Sequence, residues 1–267
     1  MKPSVILLCF AMILLITLYS FKPKGIDGPR VAAVAVNTKQ FPYEALDEVL
    51  AQLYPNGRSH PIDVRYDALR KNPKPLDQYL GLMSEVGPRS APHRFTIREE
   101  RLAYALNAYT AGLLALIRQH CPFDSLEDIY MFRGIFWRVN LRVGGELLNL
   151  NDLAAEINTL GQGDPRIQLA LWRGSRSSLP PPIKAWRPEN IEAELDALDQ
   201  LLRTPPWVER KGDALYLGGP LQWYQHYFNP SPEGYLKSRD PKIIQGIERV
   251  FKAPINTQLD GRCNAPN

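Results

Sequence analysis

Residues Trp137 to Leu150 read WRVNLRVGGELLNL, and this stretch decides the fold class. Val139, Leu141 and Val143 alternate with Arg138, Asn140 and Arg142, the period-two pattern of a strand with one wet face. Gly144-Gly145 supplies a tight turn, so the spacing predicts a β-hairpin. Most of the surrounding sequence has helical periodicity instead. Leu102, Ala105, Leu106, Tyr109, Leu113, Leu116 and Ile117 make a wide apolar stripe within Glu99 to Arg118. Ala103, Thr110, Ala111 and Leu114 extend it around the flank, which predicts a central helix packed on more than one side. Helices are also expected across Leu46 to Leu53, ended by Pro55-Asn56-Gly57, and across Leu76 to Met83, closed by Gly87-Pro88. Ser125 is expected to cap a helix start, and Asn151 a short helix after the hairpin.

Downstream, Ile167, Leu169 and Leu171 alternate as a strand. Pro188 opens a helix carrying Ile191, Leu195, Leu198 and Leu202, and Ala214 to Leu217 is a short strand. Pro220 opens a last helix, on which Trp223, Tyr224, Tyr227 and Phe228 form a core stripe or, alternatively, a ligand shelf. Few β residues, part of them in a hairpin, among many helices give an α+β fold. The expectation is a helix-rich single domain around a small, mostly antiparallel sheet.

The N-terminus is of a different kind. Val5 to Tyr19 reads VILLCFAMILLITLY and is flanked by Lys2 and Lys22. The unit Pro3 to Phe21 is near the lower length limit of a membrane span, and no small-residue cleavage site follows it directly. Residues 1–21 are read as an uncleaved anchor, with a cleaved export signal as the alternative. The lysines and arginine after the segment favour a cytoplasmic domain by the positive-inside rule. A short apolar segment behind one basic residue favours export, so an extracytoplasmic, envelope location is expected. Residues 22–40 are a linker, 41–253 the domain and 254–267 an irregular tail.

The net charge of +4, from 32 basic and 28 acidic residues, is too small and too dispersed for nucleic acid. None of the three cysteines has zinc-site or redox-pair spacing. Cys121 and Cys263 are read as two unpaired thiols, or as a disulfide if the domain is exported. No metal and no cofactor are expected. The expected partners are the membrane, through residues 3–21, and an anionic small molecule or a protein.

Chemistry concentrates at the corner Arg166 to Pro182, RIQLALWRGSRSSLPPP, where an apolar segment meets a proline-locked turn. Rigid backbone on both sides can fix a functional group in place. The corner holds no Cys and no His. Arg166, Arg173 and Arg176, with Gln168, are the candidate binding residues, because guanidinium pairs well with carboxylate or phosphate. The competing reading is a solvated corner with Arg166 salt-bridged internally. Ser175 and Ser178 are the only nucleophile candidates and need a base from afar, such as His226. A turn-capping hydroxyl is the preferred role for Ser178. Asn107, on the central helix, is either a substrate hydrogen-bond donor or, preferably, a clamp on a neighbouring loop.

Five blocks in order carry a resemblance to a known family. They are IDVRYDALRKNPKPLDQYL (62–80), RLAYALNAYTAGLLALI (101–117), GGELLNLNDLAAEI (144–157), DPRIQLALWRGSRSSLPPP (164–182) and LGGPLQWYQHYF (217–228). Together they resemble the DUF547 family across roughly residues 62–236. The resemblance places a family His at Gln168, family Cys residues at Arg173 and Ser178, and a family Asp at His226 or Tyr227. Asp164, Pro165, Arg166, Ser175, Asn107 and Tyr109 match, while Thr110 stands where the family has a second Asn. The resemblance implies a thiol-dependent site that this chain has lost. Arg173 has no lone pair with which to attack, and Gln168 cannot carry a proton near neutral pH. The expected function is therefore non-catalytic binding or scaffolding. The alternatives are a hydrolase- or transferase-type enzyme rebuilt around serine, or a fold whose site never depended on those cysteines.

Overall fold

The structure is a computed structural model and describes residues 41–54, 64–126, 134–261 and 263. The anchor, the linker, Pro55-Asn56-Gly57 and the helix expected after Ser125 lie outside these residues. Among the described residues no helix is long and apolar enough to cross a membrane.

A central helix, Arg98–His120, organises the domain. Every residue from Leu102 to Ile117 is buried, so the helix is enclosed on all sides, as its small and apolar flank requires. Glu100 reaches back to the backbone N–H of Ile97 at 3.1 Å, satisfying a donor that the helix cannot. Helices Glu44–Leu53 and Lys74–Glu85 pack against each other, and Lys74–Glu85 also packs on the central helix. The hydroxyl of Tyr104 donates to Met83 O at 3.0 Å, fixing the C-terminal end of Lys74–Glu85.

The hairpin forms as expected. Strands β1 (Asn140–Val143) and β2 (Glu146–Asn149) pair antiparallel, Val143 opposite Glu146. Gly144 and Gly145 both have positive φ, 56° and 90°, as a two-residue hairpin turn demands. Their N–H groups donate to Met83 O and Ser84 O, each at 2.8 Å. The turn thereby occupies carbonyls that the C-terminal end of Lys74–Glu85 leaves open. The next helix, Leu150–Leu160, is capped by Asn149 rather than Asn151, because Asn149 accepts from the N–H of Asp152 at 2.9 Å. It packs along the central helix.

The β-structure is two sheets, not one. Separately from the hairpin, β3 (Val208–Lys211) and β4 (Ala214–Leu217) pair antiparallel, and β5 (Arg249–Lys252) adds in parallel to β4. The architecture is α+β and helix-rich.

The strand expectation for the corner needs correction. The strand expected at Ile167 to Leu171 is a 3-10 helix, Pro165–Ala170. Asp164 caps it by accepting from the N–H of Arg166 at 2.9 Å, and Pro165 takes the first turn. Ile167, Gln168, Leu169 and Ala170 are all buried. The apparent alternation was therefore no record of an inner and an outer face, and the Asp-Pro pair was the stronger signal. Ser125 also bridges to the tail, its hydroxyl donating to Thr257 O at 3.1 Å.

The tail has little regular structure but is built into the domain. The N–H of Arg176 donates to Gln258 O at 2.9 Å and that of Leu259 to Asp124 O at 2.8 Å. Cys121 and Cys263 are disulfide-bonded with Cα atoms 5.5 Å apart, which replaces the reading of two free thiols. Asp260 is buried, accepting from the hydroxyl of Tyr66 and, at 2.8 Å, from Nε1 of Trp172. Burial raises its carboxyl pKa to about 6, although both hydrogen bonds and the charge of Arg176 pull the other way.

Candidate functional site

The 3-10 helix Pro165–Ala170 delivers Gln168, and the corner after it delivers Arg173. Gly174, at φ 64°, then turns the chain sharply, leaving Ser175 on the buried side. Gln168 and Arg173 line a cleft of about 340 Å³. Phe136 and Trp137 from the short helix Gly134–Arg138, and Asn151 and Asn158 from Leu150–Leu160, also line it. Trp223, Tyr224, His226 and Tyr227, with Tyr109 of the central helix, complete the lining.

These last aromatics correct the expectation of a core stripe. The helix opened by Pro220 runs only Gly219–Trp223, and a 3-10 turn, Gln225–Tyr227, follows. The change of period spreads the side chains, so only Phe228 of the four enters the core.

Arg173 is the one formally charged side chain among the described residues that line the cleft. Its guanidinium carbon lies 4.6 Å from the Phe136 ring centre and 5.1 Å from that of Trp223. Both rings attract a cation, and together they hold the guanidinium in place within the cleft wall. Tyr224 meets Arg173 within that wall. Burial raises the Tyr224 phenol above its ordinary pKa, while the charge and hydrogen bond of Arg173 moderate the rise. Tyr109 is also raised by burial, so both phenols remain neutral donors at ordinary pH.

The other two arginines are elsewhere, so the three do not form one anion site. Arg166 is ion-paired to Asp164 and Asp196, each at 2.6 Å, and to Glu192 at 2.8 Å. It fastens the 3-10 helix to the helix Ile191–Leu202. Arg176 donates to the tail at Leu259 O, 3.3 Å away.

The serines do not line the cleft. Ser175 and Ser178 are buried, their hydroxyl oxygens 3.0 Å apart. The carbonyl of Ser178 accepts from Trp207 Nε1 at 3.0 Å. His226 sits in the cleft wall and is exposed, with no serine or cysteine among the described lining residues beside it. Asn107 is fully buried. Its Nδ2 donates to Trp186 O and its Oδ1 accepts from Trp186 N–H, both at 2.8 Å, a two-point clamp on the loop before the helix Ile191–Leu202. Its amide is therefore engaged by main chain and does not reach the cleft. Among the described residues no group of three or more His, Cys, Asp or Glu is placed to hold a metal ion.

The cleft thus gathers Gln168, Arg173, His226 and Tyr227, positions on which the sequence resemblance puts a family His, Cys and Asp. Asn158, Trp137 and Phe136 also belong to it, and the sequence offered no signal for them. Residues 92–200 match the family model described as "Protein of unknown function, DUF547". No curated protein and no solved structure matches the chain. The matched segment contains the central helix, the hairpin and the corner with Arg173, and this part of the chain is accordingly similar to a DUF547 domain.

Proposed function

We propose that this DUF547-like domain acts by binding, gripping a small anionic molecule in the cleft through Arg173 without transforming it. The observation that carries the reading is Arg173 itself, a permanent cation lining the cleft beside the rings of Phe136 and Trp223. In such a partly enclosed site a charge keeps more of its attraction than it would in open water. Catalysis has little support. Gln168 and Arg173 occupy the positions where a thiol-dependent site would need imidazole and sulfur, and neither can attack or carry a proton. Ser175 and Ser178 are buried away from His226's cleft.

Residues 3–21 supply the membrane attachment in this reading. The pairing of Cys121 with Cys263 favours an oxidising compartment, hence an extracytoplasmic domain. The test is isothermal titration of the full chain with acetate and with inorganic phosphate. Saturable binding of at least one anion, lost in Arg173→Met, is expected. No binding, or equal binding by the variant, refutes the reading.

A further inference from the structure

We infer that the ligand is a hydroxylated ring bearing one anionic group, a sugar acid or sugar phosphate, with Arg173 holding the charge and Gln168 one hydroxyl. This rests on the binding reading above and names its ligand class.

Gln168 lines the cleft although its side chain is almost wholly buried, 2% exposed. Its Nε2 donates to Asn158 Oδ1, and Asn158 Nδ2 donates to the Tyr227 hydroxyl at 3.0 Å. The Oε1 atom of Gln168 has no hydrogen-bond partner among the described residues. A buried amide oxygen left unpaired is costly, and such a group calls for a partner. Exchanging oxygen and nitrogen in both amides reverses the relay, which then starts at the Tyr227 hydroxyl. It leaves Gln168 with an unpaired N–H instead of an unpaired oxygen. In either orientation one polar atom of Gln168 is unmet. A hydroxyl satisfies both cases, because it donates and accepts. Carboxylate and fully ionised phosphate oxygens accept only, and an ammonium donates only.

The rest of the wall fits the same ligand. Trp137, 46% exposed, and Trp223, Tyr224 and Tyr227 offer broad apolar faces with polar edges. A sugar ring has the matching character, C–H faces bounded by hydroxyls. Asn151 and His226 add further hydrogen-bonding capacity. The volume of about 340 Å³ lies within the range of small-molecule sites, about 300–1,000 Å³. An apolar acid would leave Gln168 unmet, and a neutral sugar would forgo the attraction of Arg173.

The test is a tryptophan-fluorescence titration of the full chain with glucuronate, glucose 6-phosphate, glucose, acetate, inorganic phosphate and cyclohexanecarboxylate. Trp137 and Trp223 report on the cleft directly. Glucuronate or glucose 6-phosphate should bind at least about tenfold more tightly than glucose, the two simple anions or the hydroxyl-free ring acid. The two sugar anions separate carboxylate from phosphate as the preferred charge. Gln168→Met should erase the margin over cyclohexanecarboxylate while leaving that acid's own affinity within about threefold. The wild-type comparison stands by itself if the variant does not fold. Equal affinity for glucuronate, acetate, phosphate and cyclohexanecarboxylate would overturn the hydroxyl requirement and leave the anion reading intact. Equal affinity for glucose would overturn the charge requirement, and no binding of any anion would overturn both readings.

Discussion

Replacing Asp260 with Asn should change how stability depends on pH more than it changes stability at any single pH. The carboxyl lies between the Tyr66 hydroxyl and Trp172 Nε1, buried, with its pKa raised from 3.8 to about 6 mainly by loss of solvent. An acid whose folded pKa is raised binds its proton more tightly in the native state than in the unfolded state. Between pH 4 and 6 the native state then carries more protons, so stability falls as pH rises through that window. At 1.36 kcal/mol per pKa unit the whole effect is about 3 kcal/mol. It is present in full below the unfolded pKa and gone above the folded one. Asp260→Asn keeps an acceptor oxygen for Trp172 or Tyr66 and removes the titration. Urea unfolding of both proteins at half-unit steps from pH 4 to 7.5 measures the difference directly, and the other carboxylates cancel in it. The variant should gain about 2.5 kcal/mol on the wild type across that range. Parallel curves for the two proteins would refute the reasoning.

Further outcomes follow from the same structure. Asn107→Ala should destabilise by about 2–4 kcal/mol in urea, because it strands the buried N–H and C=O of Trp186 together. Cys121→Ser, which opens a loop closed over a separation of 142 residues, should cost about 2–5 kcal/mol, and reduction of the wild type should reproduce most of that loss. Ser178→Ala loses a hydroxyl pair with Ser175 and should cost about 1 kcal/mol while leaving anion titration unchanged. A serine-directed reagent should not label Ser175 or Ser178 in the native chain, and peptide mapping by mass spectrometry checks this.

What could be read from the sequence was mostly local. The hairpin around Gly144-Gly145 and the central helix announce themselves through periods of two and of 3.6 within a dozen residues. The buried setting of Asn107 was legible in the same way, but its partner Trp186 lies 79 residues away and leaves no local trace. The segment Ile167 to Ala170 misleads because it is buried all round, where hydrophobic spacing no longer records a face. Trp223, Tyr224 and Tyr227 mislead for another reason. They are spaced as a helical stripe, yet the helix stops at Trp223 and the chain tightens, turning them into a cleft wall. The tail shows the limit most plainly. Asp260 finds Tyr66 across 194 residues, and nothing around Asp260 except a lone Leu259 and Cys263 hints that this segment belongs to the core.

The most direct test of the whole account is the guanidinium Nε–H resonance of Arg173 in nitrogen-15 NMR of the full chain, followed while inorganic phosphate is added. That signal should shift saturably, with those of Arg166 and Arg176 unmoved, because only Arg173 of the three lines the cleft. A response from Arg166 or Arg176 with Arg173 silent, or no saturable response at all, would contradict it.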